Sequence, residues 1–454
     1  MDAAVTDLLK KYDLPVPRYT SYPTVPYWDF STIDETKWKQ AVVNTYNNEN
    51  GELSIYIHLP FCENLCTFCA CNKRITKNHK VEDPYLEAVC KEWNMYRSIL
   101  PGTPVIKEIH LGGGTPTFFS PENLVYLIRQ ITKDAIISDD HAFSIEVHPN
   151  YTTEEHIKQL QTVGFNRISL GVQDFDPVVQ YAINRIQSFE KTNEVVEWAR
   201  KYGFTSVNID LVYGLPHQTT KSIEHTVEAI KKMQPDRIAF YSYAHVPWKS
   251  KGQRRYTEAD LPAADDKWKM YSLGTELLRE SGYASIGMDH FALKDDAMFT
   301  AARNGKLHRN FMGYTTTQSK LIIALGASSI GDAWNAFVQN EKEIEKYEEK
   351  VNNGHLPLTD GHLLSEEDVM LRKNILELMC MNETTLNKAA LEASFVEAAN
   401  KKLLALADDA LVEINGNKIV VTKKGKSFIR NIASTIDAQL WRRQMSTPAF
   451  SKAI

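Results

Sequence analysis

The sequence predicts an α/β protein: a largely parallel sheet, open or closed into a barrel, followed by a mostly helical C-terminal domain. Three features of the 454 residues carry that expectation. Strand-like and helix-like patterns alternate from Leu53 to about Phe291, which calls for right-handed crossovers and parallel pairing. The strand segments alternate polar with apolar residues, so one face of the sheet is polar along much of its length. Beyond residue 359 the alternation gives way to helices around one short hairpin.

Strands are expected at Leu53–His58, Val105–Leu111, Ala142–His148, Asn166–Gln173, Ser206–Tyr213 and Asp236–Ala244. Helical patterns separate them at Pro84–Leu100, Pro121–Thr132, Thr153–Val163, Asp176–Tyr202 (broken near Gln187) and Lys221–Met233. Ala264–Ser281 is a further helix and Ala284–His290 a last strand. Within the first strand Leu53, Ile55 and Ile57 oppose Ser54, Tyr56 and His58. Phe143, Ile145 and Val147 oppose Ser144, Glu146 and His148. Ile168, Leu170 and Val172 oppose Arg167, Ser169, Gly171 and Gln173, and Asn208 with Asp210 opposes Val207, Ile209 and Leu211. An ordinary α/β barrel fills its interior with branched apolar side chains. Polar groups buried there without partners would be costly, so this interior is expected to hold something polar.

Helices at about Glu366–Met381 and Glu392–Ala407 precede a hairpin signal, Leu411–Ile414 and Ile419–Thr422 around Asn415-Gly416. A final helix near Lys424–Thr435 completes a winged-helix-like unit. With 13 basic and 12 acidic residues from Thr359 onward, it reads as a structural cover rather than a DNA-reading module. The run Asn340–Val351, rich in Glu and Lys, is expected to be a solvated helix. The chain divides into an N-terminal segment (1–50), the alternating region (51–295), a connecting segment (296–358) and the C-terminal domain (359–454).

Across the chain 52 basic residues meet 57 acidic ones, a formal net charge of −5. That balance offers no general field for a phosphate backbone, so no nucleic acid is expected. No apolar run approaches the ~20 residues of a membrane span, and Met1–Lys11 lacks a basic-then-apolar order. The expectation is a soluble cytoplasmic protein with no membrane partner.

Four of the six cysteines fall within residues 62–71. In a reducing compartment such a cluster points to metal or catalysis before disulfides. Cys90, in the stripe Leu86, Val89 and Trp93, and Cys380, one turn after Leu376, read as core packing. Cys62, Cys66 and Cys69 directly follow the first strand. Three thiolates at spacings of four and three can take three corners of an iron–sulfur cubane and leave one iron for an exchangeable ligand. A zinc site completed by Cys71 or His79 is the rival reading. After the second strand comes His110-Leu111-Gly112-Gly113-Gly114-Thr115-Pro116, whose backbone amides can approach a ligand without a Cβ in the way. Both loops belong to the C-terminal rim, where parallel barrels do chemistry.

The cysteine loop, the glycine run and Glu146 after the third strand resemble the radical S-adenosylmethionine superfamily. Further segments resemble one branch of it, the oxygen-independent coproporphyrinogen III oxidase family. They are Pro17-Arg18-Tyr19-Thr20-Ser21-Tyr22-Pro23-Thr24, Cys69-Ala70-Cys71-Asn72-Lys73 and Gly171-Val172-Gln173-Asp174-Phe175. Asn208–Pro216, Gly287–Ala292, Leu307–Phe311 and the terminal Phe450-Ser451-Lys452-Ala453-Ile454 extend the likeness.

The resemblance implies an incomplete barrel of the radical-SAM type with one 4Fe–4S cluster on Cys62, Cys66 and Cys69 and two S-adenosylmethionine molecules. Tyr56, Gly113, Glu146 and Ile330 would hold the first; Phe68, Gly114, Thr115, Gln173, Arg185, Asp210 and Ala244 would contact the second. It implies oxidative decarboxylation of coproporphyrinogen III to protoporphyrinogen IX by a 5′-deoxyadenosyl radical, with an electron donor such as reduced flavodoxin and a monomeric enzyme. Cys71 is the candidate catalytic residue, and hydrogen donation, electron transfer and packing beside the cluster all stay open. The four substrate carboxylates call for cations. Arg18, in a proline-flanked flap, and Arg309 are candidates, with Lys249, Lys251, Arg254 and Arg255 as an outer guide. A haem chaperone of the same superfamily is the alternative; that group carries an aromatic residue where Cys71 stands and lacks the Arg-Tyr-Thr-Ser-Tyr-Pro segment. Two departures from the oxidase pattern are Met312 in place of Gln, expected to weaken cofactor binding modestly, and Thr67 and Ala70 in place of Tyr and Gly.

Overall fold

Period-two alternation fixes which way each strand faces, and the computed structural model, which describes residues 3–248, 250–443 and 450, follows it. Twelve strands form one sheet. Six of them are β1 (Glu52–Leu59), β2 (Val105–Gly113), β3 (Ile136–Val147), β4 (Phe165–Gln173), β5 (Ser206–Tyr213) and β6 (Arg237–Ser242). The others are β7 (Ala284–Gly287), β8 (His290–Ala292), β9 (Leu321–Leu325), β10 (Ile330–Ala333), β11 (Ala336–Asn340) and β12 (Leu358–Leu363). The order is β12-β11-β10-β9-β1-β2-β3-β4-β5-β6-β8-β7. The seven central strands, β9 and β1 to β6, pair parallel, and both margins are antiparallel. Among the described residues the outermost strands do not pair with each other, so the barrel is open.

Ile55, Ile57, Ile109, Leu111, Phe143, Ile145, Ile168, Leu170, Val207 and Ile209 are fully buried in the core under the helices. Each such side chain is worth about 1.5–3 kcal/mol, and a one-residue slip would turn a strand's whole set inward. The helices carry their own start signals. Ser120 accepts from the Asn123 N–H with Pro121 in the first turn, and Thr219 and Ser222 cap each other reciprocally.

Several sequence expectations need correction. Ala284–His290 is not one strand but the hairpin β7–β8, which turns at Met288 with φ +41°. The break expected near Gln187 is present, between the helices Pro177–Ala182 and Phe189–Lys201. The run from Asn340 to Val351 is not a solvated helix throughout. Asn340 ends β11, and in the helix Ile344–Asn352 the side chains of Ile344, Tyr347 and Val351 are buried. The final helix opens as a 3₁₀ turn, Gly425–Phe428, before Ile429–Ser434. Strand β9 and the first helix, Ala3–Tyr12, have no counterpart in the sequence reading. Lys249 and residues 451–454 lie outside the described residues.

In the C-terminal part the helix Glu366–Met381 packs with β13 (Glu383–Thr385), β14 (Val412–Asn415) and β15 (Lys418–Val421). Its core includes Leu371, Ile375, Phe395 and Ile432. It continues without a break into Tyr19 and Tyr22 of the N-terminal segment and Ile286 and Tyr314 of the central region.

Candidate active site

The polar positions of the central strands line the inside of the open barrel. Glu108, His110, Ser144, Glu146, Arg167, Ser169, Asn208, Asp210 and Arg237 surround a well of about 120 Å³. Toward the C-terminal rim, sharing Glu146, Ser169, Asp210 and Tyr241 with it, opens a cavity of about 340 Å³. Cys62, Cys66, Phe68, Cys69, Cys71, Gly113, Gly114, Thr115, Glu146, Gln173, Arg185 and Asp210 all line that cavity.

The cysteine loop is pinned on every side. Phe61–Cys62 pairs parallel with Arg74–Ile75. The Thr67 N–H donates to the Ile183 carbonyl at 2.9 Å, and Ser250 Oγ and Gln253 Nε2 donate to the carbonyls of Cys69 and Phe68, each at 2.9 Å. Thr115 Oγ1 lies 3.2 Å from Cys62 Sγ, and Arg185 Nη1 lies 3.5 Å from Cys66 Sγ. Lys73 Nζ donates to the carbonyls of Cys69 and Cys71. Burial pushes the Cys62 thiol up to about 11, whereas the Cys71 thiol, by donating to Cys69, together with Lys73 holds Cys69 well below the ordinary thiol range. Two cations beside three thiols are what thiolate ligation needs.

Among the described residues no three His, Cys, Asp or Glu side chains converge on a point that would hold a single metal ion. Three thiols from one short loop around one cavity are the donor set of a cubane with one iron left open, and the residues fit the cluster.

Next to the thiols the backbone makes room for a second group. Gly113, at φ +115°, could carry no side chain, since a Cβ would lie 2.7 Å from the His58 ring. Its N–H donates to Glu146 Oε2 at 3.3 Å, and His110 Nε2 lies 3.2 Å from Oε1. Burial raises Glu146, but the hydrogen bond and charge of His110 outweigh it and keep the carboxyl below its ordinary range. Asp210 behaves oppositely: burial, then Glu146, push it up to about 7 despite hydrogen bonds from Asn208 and Ser169. At the end of β4 the register shifts between Gly171 and Gln173, and Gln173 sits at φ +70°. This irregularity turns Gln173 toward the cavity. Arg185 donates to the Gly171 carbonyl, and its Nε has no partner.

Three residues singled out by resemblance do not line the cavity. Tyr56 stacks on His110 at 5.9 Å and meets His58 Nδ1 at 3.0 Å through its hydroxyl. The Ala244 carbonyl accepts from Gln253, and Ile330 packs beside Trp28, Phe337 and Leu364. Arg18 pairs with buried Asp289 and lies 5.7 Å from the centroid of Tyr241. Arg309 is 4% exposed and stacks on Tyr314 at 4.5 Å. Its Nε and Nη1 have no partner. The sequence reading missed Tyr241, which lines both chambers, and Lys73; the alternation of β6 and the spacing from Cys69 were the available signals.

The Radical SAM superfamily model matches residues 56–230. The oxygen-independent coproporphyrinogen III oxidase of Synechocystis sp. is 36% identical, covering 99% of this chain and 97% of that protein. The Helicobacter pylori protein of the same name is 38% identical over 95% of each chain. The solved structure of coproporphyrinogen III oxidase from Escherichia coli, described as a radical SAM enzyme, superposes with a TM-score of 0.88. It is 36% identical, across 95% of this chain and 98% of that one. At this identity and coverage, with the cysteine loop and polar barrel interior in place, the chain belongs to the oxygen-independent coproporphyrinogen III oxidase family of radical SAM enzymes.

Proposed function

We propose that this protein is an oxidoreductase of haem biosynthesis that converts coproporphyrinogen III to protoporphyrinogen IX without oxygen. The observation that carries the reading is the convergence of Cys62, Cys66 and Cys69 with Glu146, Arg185 and Asp210 on one cavity at the barrel rim. When bound, a reduced 4Fe–4S cluster with S-adenosylmethionine would supply the radical chemistry that removes a propionate β-hydrogen, with CO₂ lost and the remaining electron passed to a one-electron acceptor as the vinyl group forms.

The chain's part is holding, orienting and excluding water. Cys62, Cys66 and Cys69 would bind three irons and leave the fourth for an exchangeable ligand. Gly113 and Glu146 at the cavity wall would hold one S-adenosylmethionine, with ionised Glu146 receiving its cationic amine, and the resemblance adds Tyr56 and Ile330 from behind that wall. Phe68, Gly114, Thr115, Gln173, Arg185 and Asp210 would hold a second, with Arg185 directed to its carboxylate, and the resemblance adds Ala244 from outside the lining. Arg309, with two open donors, and Arg18 would take propionates, while Cys71 acts at the cavity wall. Residues 1–50 cover the substrate, 51–295 carry the chemistry, 296–358 complete the sheet and 359–454 cap it. The enzyme works as a monomer in the cytoplasm on electrons from a flavodoxin-type donor. Among the described residues no helix is long and apolar enough to cross a membrane.

The test is one anaerobic turnover with reconstituted cluster, dithionite, S-adenosylmethionine and coproporphyrinogen III. Protoporphyrin with about two deoxyadenosines per molecule, one per decarboxylation, is expected. Deoxyadenosine without a change in the porphyrin would move the substrate elsewhere.

A further inference from the structure

Outside the cavity, the surface around the cysteine loop differs from the rest of the molecule. Val178, Tyr181, Ile186 and Trp248 are 60%, 67%, 67% and 66% exposed, the four most exposed large hydrophobic side chains among the described residues. Leu65, within the cysteine loop, is exposed as well. These residues come from segments locked together: the Asn184 side chain donates to the Leu65 carbonyl at 2.8 Å, and Thr67 donates to Ile183. The segment after Trp248 rests on Phe68 and Cys69 through Gln253 and Ser250. The Arg255 guanidinium lies 5.3 Å from the Tyr181 centroid and ties that segment to the helix Pro177–Ala182. Lys251, Arg254 and Arg255 are exposed at its edge, on a chain whose net charge is −5. Single exposed apolar residues are ordinary, but five on mutually bonded segments, one of which also exposes three cations, are not.

We propose that this face docks a small acidic protein that carries one electron at low potential. Leu65, Val178, Tyr181, Ile186 and Trp248 form the apolar centre, and Lys251, Arg254 and Arg255 form the charged rim. The inference rests on the cluster chemistry proposed above and names the partner for it. Charge selects the occupant: a basic rim on an otherwise acidic protein draws an acidic partner to this face and disfavours a basic one. Position supports it, because the docking segments are those that hold the backbone of residues 67–69, so the carrier sits over the cluster loop. The carrier loses one electron and is oxidised, the cluster gains it and is reduced, and no bond or proton passes between the two proteins.

The test uses holoenzyme with the double variant Tyr181→Ala/Trp248→Ala and, separately, Ile186→Ser. Affinity for a purified flavodoxin is measured by calorimetry, and deoxyadenosine formation is compared with flavodoxin and with dithionite as reductant. Affinity should fall about tenfold or more, with flavodoxin-driven turnover falling in step. Dithionite-driven turnover should stay within about twofold and the KM for coproporphyrinogen should not move. Unchanged affinity, equal losses with both reductants, or a raised KM for coproporphyrinogen would each overturn the proposal, the last by giving the face to the substrate. Tight binding of cytochrome c, a basic carrier, would overturn the charge argument. Wild-type enzyme that forms no protoporphyrin with dithionite would instead sink the proposed function and leave the binding measurement standing.

Discussion

Two sets of buried charge in this molecule obey different rules. In one set, away from the cavity, the buried charges are met within the protein. Glu92 accepts from the Gly326 N–H at 2.9 Å and from Asn340 Nδ2 and the Tyr347 hydroxyl at 2.7 Å each. Arg372 grips Asp332 while stacking on Trp334 and Phe337. Around the barrel interior the pattern reverses. Glu108 Oε2, Arg185 Nε, and Nε and Nη1 of Arg309 have no partner, and no other buried Arg or Glu has an unpartnered atom among the described residues. A buried donor left unpaired costs about 1–3 kcal/mol, so open valences persist where a ligand supplies the missing partner. Among the Arg and Glu side chains the open valences belong to Glu108, Arg185 and Arg309, which are therefore the groups placed to meet a ligand.

The hardest blow to the open region falls on its thiols. Cys62→Ser should abolish the cluster and all turnover while the sheet stays folded, because a buried hydroxyl still meets Thr115. Iron and labile sulfide analysis with circular dichroism checks both halves. A Cys62→Ser protein that keeps full iron and sulfide would remove Cys62 from the ligand set.

The comparison itself can be broken with one pair of variants. Arg372→Met leaves Asp332 buried and unpaired and should cost about 3–5 kcal/mol of stability, with little change in the KM of whatever enzyme folds. Arg309→Met removes a cation whose Nε and Nη1 already lack partners and whose Nη2 donates only to the Arg18 carbonyl at 3.4 Å. It should leave the unfolding midpoint unchanged or higher and raise the KM for coproporphyrinogen about 30-fold or more, as expected for loss of a buried charge-assisted contact. If Arg309→Met unfolds as readily as Arg372→Met with KM unmoved, the open-valence argument fails.

What the sequence made legible was what short-range periodicity encodes. Ser144, Glu146, Arg167, Ser169, Asn208 and Asp210 read as one face because strand alternation is local, and they do share one interior. Strand β9, Leu321–Leu325, was not legible. It is buried on both faces, so it reads as a short apolar run that periodicity cannot assign, and its partner β1 lies far away in the chain. The Glu/Lys-rich run misled for a related reason: Tyr347 turns inward to meet Glu92, and no local pattern announces a buried carboxylate on another helix. Of the residues named by family resemblance, Tyr56, Ala244 and Ile330 do not line the cavity, whereas Phe68 and Arg185 do. The apolar patch was illegible because Val178 and Tyr181 read as an ordinary helix start until exposure is known.

A pH profile sharpens the open side further. Asp210 is pushed up to about 7, so it is largely protonated at pH 6 and largely ionised at pH 8. A carboxylate that helps bind cationic S-adenosylmethionine must be ionised to do so. Affinity should therefore rise with pH by at most about tenfold per unit below 7 and level off above it. Asp210→Asn should flatten the profile. If Asp210→Asn keeps the wild-type profile, the titrating group lies elsewhere.

The smallest expected effect concerns Met312, one of the departures from the pattern that the resemblance implies. Met312 lines the same well as Glu108, His110 and Thr315, and its N–H donates to Asn310 at the turn between His308–Asn310 and Gly313–Thr315. A thioether offers no donor to a well whose Glu108 Oε2 already lacks one. Met312→Gln should tighten S-adenosylmethionine binding by about two- to fivefold, the worth of one neutral hydrogen bond. Calorimetry on wild type and variant decides it. Tighter binding marks the well as one more unclosed network, open by a single donor. Unchanged affinity means that a side chain at position 312 does not reach Glu108, whose open oxygen is then left for a group the bound state brings in.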